Sequence, residues 1–307
     1  MKKIITTISL IILVAVVATT LFACSSATTQ GQLQNILNDH GHEKFVYDVY
    51  SASKDSSGSY TQKTDLYQGT YTVTLDACKK GANELFNDVA FNPTAEADGV
   101  LVKGVLNVGT TTYETGCYFN LIGGSYYMVP AYSYRVQKDG ETESLKVFGA
   151  YADGNFSYTR YVNGNRTEGS LEVGKALYYD NNEFHQALRT ITTFSDSLSY
   201  SFSMPLVSAT EAATVSLSTV VSGRVHVKTP FTAENADYTE KGIECYKTYV
   251  SRATDVAGIS QTLYYAANDV KLNGWGMKHV LVKIEEPFKH DGTECAMIYE
   301  LKTAELA

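Results

Sequence analysis

Side chains that alternate between apolar and polar along the chain can bury one face of a strand and leave the other wet, and this pattern governs the sequence from Lys44 onward. Tyr71, Val73, Leu75 and Ala77 fall on one side, against Thr72, Thr74 and Asp76 on the other. The same period recurs in GVLVKGVLNV, TYETGCYFNLI, YYMVPAYSYRV, VSLSTVV and HVLVKIEE. Half-buried alternation of this kind belongs to an antiparallel sheet rather than a βαβ fold. Turn chemistry agrees: Asp139-Gly140, Asn163-Gly164 and Asp291-Gly292 lie between alternating runs, where a two-residue hairpin favours Asn or Asp followed by Gly. Asp98-Gly99 and Asp153-Gly154 are further candidates, and a meander of neighbouring strands is the expected topology.

One segment breaks the period. In YYDNNEFHQALRTITTF, Phe184, Ala187, Leu188 and Ile191 fall at helical spacing, with Asp180 or Asn181 placed to cap the first free amides. Such a helix is too short to stand alone and is expected to lay its apolar stripe on the sheet.

The first residues carry a different signal. Met1-Lys2-Lys3 opens an apolar run that ends at Cys24, long enough to cross much of a bilayer. It reads as a permanent membrane helix or as an export signal; no basic stop-transfer flank follows it, which favours the signal. Leu21-Phe22-Ala23-Cys24 resembles the bacterial lipobox, in which the cysteine becomes thioether-lipidated and the chain is cut in front of it. The resemblance implies a signal peptide over 1–23, lipid on Cys24, and a chain tethered to a membrane but not embedded in it. Residues 24–43 then form a small, polar leash with a weak helical pattern at Leu33, Ile36 and Leu37. Residues 44–307 form a single β-rich envelope domain, outside the cytoplasm and facing away from it. The anchor is in the cell membrane, or in an outer membrane if the host has one.

Composition narrows the partners. The formal charge is −8, and losing the segment with Lys2 and Lys3 makes the mature chain more acidic still, which argues against nucleic acid. The 23 tyrosines and the lone Trp275 suit half-buried sheet positions, and tyrosine-rich surfaces also bind sugars or peptides. Cys78, Cys117, Cys245 and Cys295 could form two disulfides or stay as buried thiols.

Several segments in the C-terminal half occur in a telling order: Asp180 with Ala187-Leu188-Arg189, then Leu263-Tyr264 with Asn268-Asp269, then Val282-Lys283-Ile284-Glu285, then Glu300-Leu301. Over residues 176–304, with KFVYDVYS as an opening strand, the chain resembles the exported bacterial proteins of the domain-of-unknown-function 3108 family. The resemblance implies an all-β fold built on a large, curved antiparallel sheet, a half-barrel or barrel-like meander with one or two short helices. It brings no reaction with it.

The sequence lacks Gly-x-Ser-x-Gly, His-Glu-x-x-His, a P-loop and a dinucleotide fingerprint, so no cofactor, no metal and no catalytic residue is expected. Three clusters are candidate exceptions. Asp39, His40, His42 and Glu43 are metal-competent but read as a solvated stretch. Arg224, His226 and Lys228 share one face of a strand, where they could meet an anion or lipid headgroups, and read as an ordinary wet face. Glu285, Glu286 and Glu294 near the last hairpin could face one another, but no defined carboxylate pair is visible. The expected function is non-enzymatic: an apolar or amphiphilic ligand held in the concavity of the sheet, or an interaction surface. The rivals are a cell-surface enzyme acting on glycans or peptides, drawing on Glu285, Glu294, His226 and His279, and a structural assembly protein.

Overall fold

In a computed structural model, described over residues 37, 41–122, 127–174, 178–180, 183–190, 194–232, 241–252 and 261–306, alternation becomes strand almost throughout. The first eight strands are β1 (His42–Lys54), β2 (Tyr60–Cys78), β3 (Gly99–Val108), β4 (Thr111–Ile122), β5 (Tyr127–Asp139), β6 (Thr142–Ala152), β7 (Asn155–Val162) and β8 (Asn165–Glu172). After helix α1 (Phe184–Ala187) and a 3₁₀ turn (Leu188–Thr190) come β9 (Ser199–Val207), β10 (Ala212–Val227), β11 (Ile243–Arg252) and β12 (Gln261–Ala266). A small hairpin, β13 (Val270–Leu272) and β14 (Trp275–Met277), precedes β15 (Leu281–His290) and β16 (Thr293–Leu306). Fourteen strands form one antiparallel sheet in the order β8-β7-β6-β5-β4-β3-β2-β1-β16-β15-β12-β11-β10-β9. The chain meanders outward from β1 to one edge, crosses to the other edge, and meanders back to seat β16 beside β1.

Right-handed twist curls a sheet of this width on itself. Its edges meet through side chains and not through a ladder: Thr214 Oγ1 donates to Glu172 O at 2.7 Å, Arg160 Nη1 donates to Ser208 O at 2.8 Å, and Arg135 donates to Val207 O. The sheet is thus a nearly closed barrel. Eight strands enclose a space that side chains alone can fill, whereas fourteen enclose more.

The segment after β8 occupies much of that excess. Tyr178 makes one parallel bridge to Ser203 on β9, and the chain then turns into the lumen, where Phe184, His185, Gln186, Ala187, Leu188 and Arg189 are all buried. The apolar stripe expected at Phe184, Ala187 and Leu188 is present, but the helix is a single α-turn. It starts at Glu183, which makes no side-chain cap, and the Asp180 carbonyl accepts from Phe184 N at 3.1 Å. Asn181 and Ile191 lie outside the described residues.

Arg189 ends the plug and is 1% exposed. Its Nη1 donates to Glu43 Oε2 at 2.8 Å and to Gln186 Oε1 at 3.0 Å, while Nε and Nη2 share the Lys278 carbonyl at 3.2 and 3.1 Å. The guanidinium stands 5.0 Å from the ring centre of Phe45. Glu43 is therefore not part of a polar leash. β1 begins at His42, and Glu43 is fully buried.

The convex face is covered too. The connection between Cys78 and Gly99 folds over β4–β6 and stacks Phe86 on Tyr134 and Phe91 on Phe148, with ring centres 5.4 and 4.8 Å apart. Asp98-Gly99 is accordingly no hairpin, since Gly99 opens β3 after this long excursion. Asn163-Gly164, Asp153-Gly154 and Asp291-Gly292 have positive φ at both positions, as their hairpins require. At the β5–β6 turn only Gly140 does, because Asp139 is still paired with Thr142 and the loop is Gly140-Glu141. Cys78, Cys117, Cys245 and Cys295 are free thiols.

Removing one partner of the Arg189–Glu43 pair leaves a buried charge alone. Arg189→Met is expected to lower stability by about 3–5 kcal/mol, and the double variant Arg189→Met/Glu43→Leu to recover part of that loss, read from urea unfolding midpoints.

Candidate functional site

The plug does not fill the lumen. Beside it lies a cavity of about 990 Å³, walled by β2, β3, β4, β5, β15 and β16. Leu106, Val108 and Met297 supply apolar wall; Tyr67, Tyr71, Tyr113 and Tyr299 supply rings; Asp65, Arg135 and Glu286 supply charge. At its inner end a narrow extension reaches His185 and Gln261.

The mouth is built on a break in pairing. Tyr50 on β1 faces Gln68, but the next residue, Ser51, faces Thr64, so Asp65, Leu66 and Tyr67 bulge out of β2. Ser51 is fully buried and stitches the bulge: its Oγ accepts from Tyr67 N at 3.0 Å and lies 2.5 Å from Thr64 Oγ1. Leu66 and Tyr67 are thereby left as exposed apolar groups at the entrance. Deeper in, Tyr71 crosses over Gly104. A Cβ on Gly104 would sit 3.0 Å from the Tyr71 hydroxyl and 2.8 Å from Thr115 Oγ1, so the missing side chain is what lets the ring lie across the wall.

A chain of hydrogen bonds leads from the plug to the cavity. His185 Nε2 lies 2.7 Å from Gln261 Oε1, Gln261 Nε2 donates to Glu286 Oε1 at 3.1 Å, and Tyr299 OH donates to Glu286 Oε2 at 3.2 Å. Because the Gln261 amide nitrogen serves Glu286, its oxygen must accept from the ring, which places a proton on His185 Nε2. Burial pushes this histidine down to about 4. Glu183 is 2% exposed, and neither of its oxygens has a hydrogen-bond partner among the described residues. Burial, and then the charge of Asp180, raise it to about 8.

The candidate residues of the sequence disperse. Glu285 points to the outer face and pairs with Lys283 at 2.9 Å, Glu294 pairs with Lys54 on the surface, and only Glu286 enters the lumen. Adjacent residues on a strand point to opposite faces, so Glu285 and Glu286 cannot form a carboxylate pair. Arg224, His226 and Lys228 are exposed, with Arg224 held by Asp196 at 3.2 Å and Glu244 at 3.5 Å. His42 pairs with Asp76 at 2.6 Å and Glu43 with Arg189, while Asp39 and His40 lie outside the described residues, as do residues 1–23 and Cys24. His279 packs on Phe194, with ring centres 4.5 Å apart, away from the cavity. Sequence reading missed Arg135, Glu183, His185 and the bulge. Each sits where alternation carries no warning, on an inward strand position or inside the short plug.

No family model matches the chain, and no curated protein matches it. Among solved structures it is similar to a β-barrel-like protein of the domain of unknown function DUF1849 from Brucella abortus, at 10% identity and a TM-score of 0.48, over 87% of this chain and 98% of that one. The pairing of the fourteen strands, and not this likeness, defines the fold.

A buried acid raised to about 8 is protonated in the folded state while ionised in the unfolded one between about pH 4.5 and 8, so it removes stability as pH rises through that window. Glu183→Gln is therefore expected to gain stability relative to the parent at pH 8 but not at pH 4.5. Denaturant midpoints at both values check this.

Proposed function

We propose that the protein is an exported lipoprotein, held on a membrane by lipid on Cys24, whose barrel carries an apolar or amphiphilic ligand in the cavity beside the plug. The observation that carries this reading is the cavity itself. At about 990 Å³ it stands at the upper end of the range for small-molecule sites. It combines apolar wall with a few convergent polar groups, as such sites do. Residual space of this kind is the natural product of a sheet too wide to be filled by its own side chains.

The anchor suits the same reading. Two acyl chains at about 0.8 kcal/mol per buried methylene hold a folded domain at a membrane surface, where amphiphiles are most abundant. The short signatures around Asp180, Arg189, Val282–Glu285 and Glu300-Leu301 support membership of the domain-of-unknown-function 3108 family. A hydrolytic role gains no support from Glu285, Glu294 or His226, which lie outside the cavity.

Native mass spectrometry of the lipidated protein, purified gently from its own host, tests the proposal. A discrete mass beyond the anchor is expected, and Leu106→Trp, which fills the cavity wall, is expected to abolish it. Cys24→Ser is expected to remove the diacylglycerol mass and release the domain from the membrane fraction. Finding only the bare lipoprotein mass would overturn the carrier reading.

A further inference from the structure

We propose that the cavity selects a ligand bearing an organic cation, an alkylammonium group, seated at Glu286 among Tyr71, Tyr113 and Tyr299. The inference rests on the carrier reading above and specifies its ligand.

Glu286 is held on both oxygens by neutral donors, the Gln261 amide and the Tyr299 hydroxyl, and among the described residues no lysine, arginine or histidine nitrogen lies within ion-pair distance of it. A carboxylate in the lumen of a barrel is costly when no opposite charge meets it, so the arrangement leaves a place for one. The surroundings suit a cation specifically. Tyr71 and Tyr299 stand at 79° with ring centres 5.7 Å apart, making the corner of a box, and Tyr113 lines the same space. Electron-rich ring faces beside a carboxylate are how proteins hold alkylammonium groups. Burial raises Tyr71 and Tyr299 far above the ordinary phenol value, so these rings stay neutral.

Arg135, the cation of the cavity wall, donates to Val207 O and is faced by the carboxylate of Asp180, while its Nε has no hydrogen-bond partner among the described residues. Asp65 at the mouth adds a second acid along the path of entry. Apolar surface at Leu106, Val108 and Met297 would take the tail that such a group carries.

The test uses three water-soluble probes of one tail length, hexyltrimethylammonium, hexanoate and hexanol, titrated calorimetrically into the full lipidated protein in a neutral detergent. Hexyltrimethylammonium is expected to bind at least about tenfold more tightly than either of the others. Glu286→Gln, whose oxygen still accepts from Gln261 and whose amide can donate to the Tyr299 hydroxyl, is expected to erase that preference, and Tyr113→Leu, on the facing wall, to reduce it. Unchanged near-ultraviolet circular dichroism certifies the fold of each variant. Hexanoate binding as tightly or more tightly, and weakened by Arg135→Gln, would overturn the proposal in favour of an anionic ligand. Equal binding of hexanol would overturn it in favour of a pocket blind to charge. Binding of no probe would overturn it as well, and the native mass spectrum then shows whether the carrier reading falls with it.

Discussion

The fold hangs on one buried ion pair. Arg189 and Glu43 are separated by 146 residues and are both fully shielded from water, and their contact pins the end of the plug to the first strand of the sheet. A pair of this kind contributes less through its own attraction than through the penalty for separating it. Each guanidinium nitrogen of Arg189 faces an acceptor: Glu43 on β1, Gln186 one turn back, and the Lys278 carbonyl before β15. A plug shifted by one residue would leave a guanidinium stranded among Phe45 and Tyr47. The pair thus fixes the register of an element too short to fix its own.

The rest follows from that register. Tyr47 OH donates to the Leu281 carbonyl and Tyr265 OH to the His185 carbonyl, both at 2.8 Å, so tyrosines on β1 and β12 take up backbone acceptors that a one-turn helix and a strand end leave open. With the plug held against β1, β12 and β15, part of the lumen beside β2–β5 stays open. The cavity is the complement of the plug, and its polar inner end is made partly of plug residues.

Much of this architecture was legible in the chain. Tyr71, Val73 and Leu75 face inward as their spacing requires, and Asn163-Gly164 turns where its chemistry says it should. Legibility failed where a local pattern was overruled by distant contacts. Glu43 looked like part of a polar leash because its neighbours His40, Gly41 and His42 are polar, and only the arrival of Arg189 explains its burial. The bulge at Asp65–Tyr67 lies in a polar stretch, where a lost register leaves no trace in hydropathy. The outer cluster of Phe86 and Phe91 was invisible because alternation assigns each strand a single buried face, whereas β4–β6 bury both.

The distribution of charge explains why the cavity is polar at one end without collapsing. Interior acids outnumber interior bases in the plug region, with Asp180, Glu183, Glu43 and Glu286 against Arg135 and Arg189. The fold accommodates them in different ways: Glu43 is paired, Asp180 faces the charge of Arg135, Glu183 is pushed toward its protonated form by burial, and Glu286 is turned toward open space. Only the last leaves a carboxylate where a diffusing molecule can reach it. A barrel stabilised solely by packing would have no reason to keep an acid there, since leucine or methionine at the same inward position would join Met297 and Ile284 in a drier wall. On the proposed carrier reading, an acid at that point, held on both oxygens by Gln261 and Tyr299, serves what enters the cavity rather than the stability of the sheet.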